Sequence, residues 1–566
     1  MLKKIIFLLW ACLACSGLCQ AGTPLMPVED IRAGMEGYAK TVISGDTIET
    51  FPVKVLGVTG NDAMGYRILV EASGDVMDRS GGISQGMSGS PVYFDGRLAG
   101  AIAYGKAFTN SRYCFLTPIE SMLHLLDQPV PHYEGLLPKG TALMAGGFTE
   151  EGFKYLQQSL EPLGLTALEA GGSGIKENIA PLEPGSSVAV ALAYGDMTLG
   201  AIGTVTWMDD QGKVLAFGHP FLQRGPADFF MNKAWILASL PNLEASYKVG
   251  SLGEVVGTIN QDRNAGVAGQ VGKGPKTIPV FVSVTDSSRS LNGSVRVQLI
   301  DDELLTPALL GSVAANSVSK VFDFAGGGTA RVTFDINALD KKNEPLTVHR
   351  DNMFYAPSKI IETIPEELVE TGKVLLQNKL EKTNILDVHV NVDIDDAARI
   401  AEIQKAAVRE KEAAPGDLIH IELLLKPYRG DNLTKTVAYK VPADAKDGTL
   451  RLSVKGGAML NWIQVLLRQQ KEAGVPTLKK KKTEPPDLQT YVKKINNMDR
   501  NNDLIIDVAA KAAKPQVRPK AADEAQEEES QGSGFDSLLA GTKNKQKFPM
   551  DFILDGETTV TVNIKS

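Results

Sequence analysis

Within "GGISQGMSGSPVYFDGRLAGAIAYG" (81–105), Ser88 lies between Gly86 and Gly89. Glycines at these two positions let the backbone bend tightly enough for the amides of Gly86 and Ser88 to face one oxygen, the arrangement a tetrahedral oxyanion requires. Ser88 then becomes an attacking hydroxyl. Such a hydroxyl is a weak nucleophile at its own pKa, so it needs an imidazole within hydrogen-bond reach and a further group to orient that imidazole. Of the six histidines, His219 in "AFGHPF" follows an apolar strand and stands between Gly218 and Pro220, where the chain turns. It is the expected base, the structural alternative being a histidine that ends a strand. His124 falls on a short predicted helix, His132 beside Pro131 in a connection, His349 near a charged loop and His420 in the alternating strand "DLIHIELLL". Asp387, His389, Asn391 and Asp393 share one face of a predicted strand, a set that in principle binds a metal. Polar residues alternating with valine are, however, the ordinary pattern of a half-exposed strand, and neither a metal nor an organic cofactor is expected.

The elements around Ser88 decide between serine-hydrolase architectures. A nucleophile elbow of the G-x-S-x-G type leads into a helix, whereas here Ser90 and Pro91 follow and the next elements are a strand and a hairpin. Residues 22–127 read as short strands, "GYAKTVIS", "TFPVKVLGVTG", "GYRILVEAS", "SPVYF", "RLAGAIAY" and "YCFLTPI", closed by the helix "PIESMLHLL", with Asp95-Gly96 marking a hairpin turn. That order fits a serine-bearing β-barrel of the chymotrypsin-like kind. Residues 128–184 form a connection with one amphipathic helix, and 185–285 a second, histidine-bearing β-barrel of similar size. Beyond it, 286–410 reads as a β-rich module with a helix over "DDAARIAEIQKAAVREKEA", and 411–509 as a sandwich-like module. Residues 510–545 have little to bury and are expected to be disordered, and 546–566 return as a strand, "ETTVTVNI", to pair with "DLIIDVA". The expected fold class is mainly β: a double β-barrel followed by β-rich C-terminal modules with a few helices.

Bulk composition removes several functions. With 566 residues the chain is too long for one core, and a formal net charge of −8 offers no basic surface for nucleic acid. The lysine run 479–482 beside Pro485 and Pro486 reads as a solvated loop. Lys3 and Lys4 ahead of "IIFLLWACLAC", with Cys19, Gln20 and Ala21 at a cleavage position, read as a signal peptide over 1–21, a lipid-anchored form being the weaker alternative. Export to the periplasm or exterior of a bacterium is therefore expected, with no stable membrane insertion after leader removal. Cys114 is the one cysteine beyond the leader, so an intramolecular disulfide or a cysteine-based zinc site is not expected.

The stretch 81–105 closely resembles the nucleophile segment of the SpoIVB-type sporulation signalling peptidases, serine peptidase family fifty-five of the chymotrypsin-like clan. "LGAIGTVTWMDDQGKVLAFGHPF" is similar to that family's histidine segment, and "VVGTINQDRNAGVAGQVG" to the glycine-rich stretch downstream of it. The resemblance spans 22–285 and implies Ser88 as nucleophile, His219 as general base and the amides of Gly86 and Ser88 as oxyanion hole. Three departures stand beside it. The family's histidine segment normally precedes its serine segment, and here the order is permuted. The position matching the family's acid is Ser73, which leaves Asp75, Asp78 and Asp262 as candidates for the third triad member. A PDZ module is not recognisable between leader and barrel.

The function expected from these residues is an exported serine endopeptidase that cleaves peptide bonds through an acyl-enzyme on Ser88. Its partners would be protein or peptide substrates, with an envelope protein engaged through the C-terminal modules. The alternative is a peptidase-like scaffold without catalysis, serving binding or envelope structure, which Ser73 in place of an acid favours.

Overall fold

The computed structural model describes residues 23–60, 65–105, 109–127, 142–169, 178–242, 246–323, 326–458, 487–509 and 544–565. The leader and most of the 510–545 segment lie outside the described residues, as do His132 and the lysine run. The chain divides into two compact units, one of 1–147 and 160–276, the other of 148–159 and 277–566. Among the described residues no helix is long and apolar enough to cross a membrane.

In the first unit, strands β1 (Glu36–Val42), β2 (Ile48–Thr59), β3 (Arg67–Ala72), β4 (Pro91–Phe94), β5 (Arg97–Tyr104) and β6 (Tyr113–Pro118) close into a barrel in the order β1-β2-β3-β6-β5-β4. Alternation sets which side chains fill it: Phe51, Val53 and Val55 on β2 and Ile68, Val70 and Ala72 on β3 point inward while their neighbours face out. Cys114 on β6 is buried in the same core, and burial pushes its thiol up to about 12, so it is a packing residue. Asp95 and Gly96 both have positive φ, 49° and 72°, and turn β4 directly into β5. A helix, α1 (Asp75–Ser80), stands between β3 and β4, and α2 (Ile119–Leu123) follows β6.

The same unit holds β7 (Ala142–Gly146), β8 (Thr166–Glu169), β9 (Ser187–Gly195), β10 (Thr198–Met208), β11 (Lys213–Ala216), β12 (Gly225–Leu240), β13 (Tyr247–Arg263) and β14 (Gly266–Val271). β9 pairs with both β12 and β10, which returns the sheet on itself through β13, β14 and β11. Read from β9, the ring is β9-β10-β11-β14-β13-β12. This is the pairing order of the first barrel, position for position, so the unit is built from two six-stranded barrels of one topology. β7 and β8 pair in parallel and attach to β10.

The second unit begins with β15 (Thr277–Asp286), β16 (Leu291–Ile300), β17 (Gly328–Leu339), β18 (Pro345–Ala356) and β19 (Asn384–Asp395), paired in the order β18-β17-β19-β15-β16. Helix α3 (Thr306–Val321), nearly all buried, packs on β15 and β16, and α4 (Glu366–Leu376) packs on α3. Then β20 (Ile400–Val408), β22 (Leu418–Pro427), β23 (Leu433–Lys440) and β27 (Ile553–Asp555) form one sheet. The other contains β21 (Glu412–Ala413), β24 (Gly448–Gly456), β25 (Asp503–Val508), β26 (Gln546–Pro549) and β28 (Glu557–Ile564), and side chains such as Ile421, Tyr439, Val454, Ile506 and Val562 join the two in one core.

Two elements differ from the sequence reading. "DDAARIAEIQKAAVREKEA" is not a helix: its centre is strand β20, paired with β22 and β27, with Ala401 and Ile403 inward. Its Ala, Glu and Lys favour helix locally, but two waiting strand edges and a core to fill override that preference. The terminal "ETTVTVNI" is a strand as expected, but β28 lies against β24 and β21, while β26 takes the edge of β25.

Candidate active site

Ser88 lies in the connection from β3 to β4. Met87, fully buried, plugs the turn into the barrel core and leaves Ser88 half-buried beside it. Ser80 Oγ donates to the carbonyls of Val76 and Gly82, Met87 N–H to Ser84 O, Ser90 N–H to Met87 O, and Gly89 N–H to Ile102 O at 2.7 Å. Gly86 and Gly89 have φ of +95° and +96°, a region that side chains disfavour. The second barrel grips the same turn. Gln85 N–H donates to Ser246 O at 2.8 Å, Thr204 N–H to Ser88 O at 2.8 Å, Thr204 Oγ1 to Gly86 O at 3.0 Å and Thr206 Oγ1 to Gly89 O at 2.7 Å. The carbonyls of Gly86 and Ser88 are thus occupied, whereas their amides have no acceptor among the described residues. The serine turn thus carries two uncommitted N–H groups, the kind of donor an oxyanion draws. Ser90 Oγ is buried and without a partner among the described residues.

His219 lies in the connection from β11 to β12. Phe217 and Gly218 both take φ of 70°, which turns the chain sharply as the strand ends. Thr117 Oγ1 donates to Gly218 O at 2.6 Å and itself accepts from Arg67 at 3.1 Å. The imidazole sits between Tyr104 and Phe217, each with ring centroid 5.9 Å away. Its Nδ1 lies 2.7 Å from Pro220 O. A carbonyl only accepts, so Nδ1 carries the proton and Nε2 keeps the lone pair a base needs. Burial lowers the His219 pKa, and the Pro220 bond opposes that in part. Among the described residues Ser88 Oγ and His219 share no hydrogen bond.

The three acidic candidates are placed differently. Asp75 pairs with Arg79 at 2.7 Å and Asp78 with Arg112 at 2.5 Å, both on the surface at α1. Asp262, at the end of β13, is fully buried and accepts the amides of Phe221 at 2.7 Å, Leu222 at 2.7 Å and Arg224 at 3.1 Å. Burial outweighs these amides and pushes its carboxyl up to about 6. It holds the loop that His219 opens, while the ring itself is oriented by a main-chain carbonyl. A cavity of about 560 Å³ lies beside this loop, lined by His124, Gln223, Arg224, Asp262, Arg263 and Asn264 among others.

The two turns occupy equivalent places, each the connection between the third and fourth strands of its barrel. They meet by backbone. A Cβ on Gly89 would stand 2.0 Å from Thr204 O and 2.5 Å from Phe217 N; one on Gly218 would stand 3.1 Å from Ile102 O, the atom that accepts from Gly89. The threonines that lock them, Thr117, Thr204 and Thr206, escaped the sequence reading because each looks like an ordinary strand residue.

The remaining described histidines serve elsewhere. His124 is exposed. His349 meets Asp335 at 2.7 Å and His420 meets Glu410 at 2.7 Å. His389 stacks on Phe281 at 4.8 Å and approaches Asp387 at 3.4 Å. Among the described residues no group of three or more ligating side chains is arranged to hold a metal.

Residues 19–123 match the family model described as SpoIVB peptidase S55, which covers the serine-bearing barrel and ends ahead of the histidine-bearing one. No curated protein and no solved structure matches the chain. Over that barrel the chain is similar to the SpoIVB-type peptidases.

Proposed function

We propose that this chain, similar to the SpoIVB-type peptidases over residues 19–123, is an exported serine endopeptidase, with Ser88 as nucleophile, His219 as general base and the amides of Gly86 and Ser88 as oxyanion donors. The observation that carries this reading is the meeting of two equivalent connections, one holding a serine beside uncommitted amides, the other an imidazole with its basic nitrogen unprotonated. Nε2 removes the proton of Ser88 as the hydroxyl attacks the scissile carbonyl. The resulting oxyanion draws the two amides, and the imidazolium then delivers its proton to the leaving amine, so that an acyl-enzyme remains for water to hydrolyse. Asp262 is a positioning residue: it holds Phe221, Leu222 and Arg224 so that His219 keeps its place. Pro220 O takes the position an acidic third member would occupy at Nδ1, and being neutral it stabilises the imidazolium less than a carboxylate does. Action outside the cytoplasm is supported by the basic and apolar leader.

The test is hydrolysis of an unstructured protein substrate by the mature chain beside Ser88→Ala and His219→Ala. Cleavage lost in both variants supports the reading. Cleavage that survives Ser88→Ala refutes it.

A further inference from the structure

Lys248, on β13, is the most anomalous side chain of the first unit. It is fully buried, and its Nζ meets one polar group, Thr41 Oγ1 on β1, at 3.1 Å. No carboxylate contacts it among the described residues. An ammonium taken from water without a counter-charge is costly, and burial brings its pKa down to about 7.

Its place ties it to the serine turn. Lys248 N–H donates to Gln85 O at 2.9 Å, and a Cβ on Gly86 would stand 3.0 Å from Lys248 Cδ and 3.1 Å from its Cβ and Cγ. The lysine stem therefore forms the floor under one of the two uncommitted amides. Ionisable groups on neighbouring elements are engaged elsewhere. Lys40 on β1 lies over Tyr93, Glu49 on β2 and Asp75 on α1 pair with Arg79, and Asp78 pairs with Arg112. Lys233 on β12 pairs with Glu254, while His219 and Asp262 bond main chain.

We propose that Lys248 is a positioning residue which seats the serine turn through its stem, and that charge on its buried amine unseats the turn. The proposal rests on the reading of Ser88 as nucleophile given above. Because the stem lies against Gly86, a movement that hydrates the ammonium also moves the amide of Gly86, so protonation and loss of the oxyanion site become one event.

The test follows hydrogen exchange in the peptide spanning 84–90, corrected for intrinsic rate, between about pH 8 and pH 6, together with fluorophosphonate labelling. In the wild type, protection is expected to fall about tenfold on acidification. Lys248→Met, which keeps the stem, should hold its protection, and Thr41→Val should move the transition to lower pH because the ammonium loses its one acceptor. Parallel pH dependence in wild type, Lys248→Met and Thr41→Val overturns the proposal. Should Lys248→Met not fold, the Thr41→Val shift alone decides it. Labelling near pH 8 should be at least about tenfold slower in Lys248→Ala than in Lys248→Met; equal rates overturn the role of the stem. Exchange that responds as described while Ser88 never labels would sink the peptidase reading and leave the seat standing.

Discussion

The two barrels of the first unit share one pairing order, yet on the proposed reading they divide the chemistry between them. In the first, the connection from third to fourth strand spends glycines and a buried methionine to present a hydroxyl and two amides. In the second, the equivalent connection is tied by Asp262 and walled by aromatic rings to present an imidazole. On that reading neither barrel holds a complete site. The duplicated topology brings like positions of two copies together, and chain order is irrelevant to the result. That the serine precedes the histidine here is accommodated because the paired loops are equivalent in either order.

The largest effect that tests this division is catalytic. Ser88→Ala and His219→Ala, one change in each barrel, should each lower turnover by roughly 10⁴-fold or more with little change in melting temperature, and the double variant should be scarcely worse than either. Additive losses would show that the two connections do not act as one site. Next comes the contact between them. Gly89→Ala forces a side chain onto a backbone carbonyl and amide at a φ of +96°, and should cost at least about 3 kcal/mol by denaturant unfolding. Gly96→Ala, at a φ of +72° with open space around it, should cost only about 1 kcal/mol.

Two buried groups on β13 of the second barrel add pH dependences of opposite sign. The folded Lys248 gives up its proton near 7 while an unfolded lysine keeps it to about 10.5, so between these values the unfolded state holds more protons and stability should rise with pH. Lys248→Met should flatten that rise, measured as unfolding midpoint against pH. Asp262 has the opposite sign. Its folded pKa of about 6 lies above the ordinary 3.8, so the folded state holds the extra proton and stability should fall by about 3 kcal/mol at most as pH rises through this window. Asp262→Asn should remove that slope and, by loosening the loop after His219, lower kcat more than it raises KM.

Much of this was legible in the sequence. The glycines around Ser88, the hairpin at Asp95-Gly96 and the strand before His219 are local signals: Gly86 and Gly89 take positive φ, Asp95 and Gly96 turn β4 into β5, and β11 ends at Ala216. What was not legible depends on contacts far apart in sequence. Thr204 and Thr206 read as ordinary β residues until they are seen holding Ser88 and Gly89, and nothing around Lys248 marks it as buried. Residues 400–408 read as helix because composition is local whereas strand pairing is not. The duplicated strand order left no trace because pairing order, unlike sequence, is stored in the closure of the sheet.

On the proposed reading the equivalent connections of two barrels meet to activate Ser88. The most direct measurement treats the folded mature chain with a fluorophosphonate and maps the adduct by mass spectrometry, beside His219→Ala. A single adduct on Ser88, formed at least about a hundredfold more slowly in His219→Ala, is the predicted result. A folded protein with no adduct on Ser88, or one that labels as fast without His219, would contradict it.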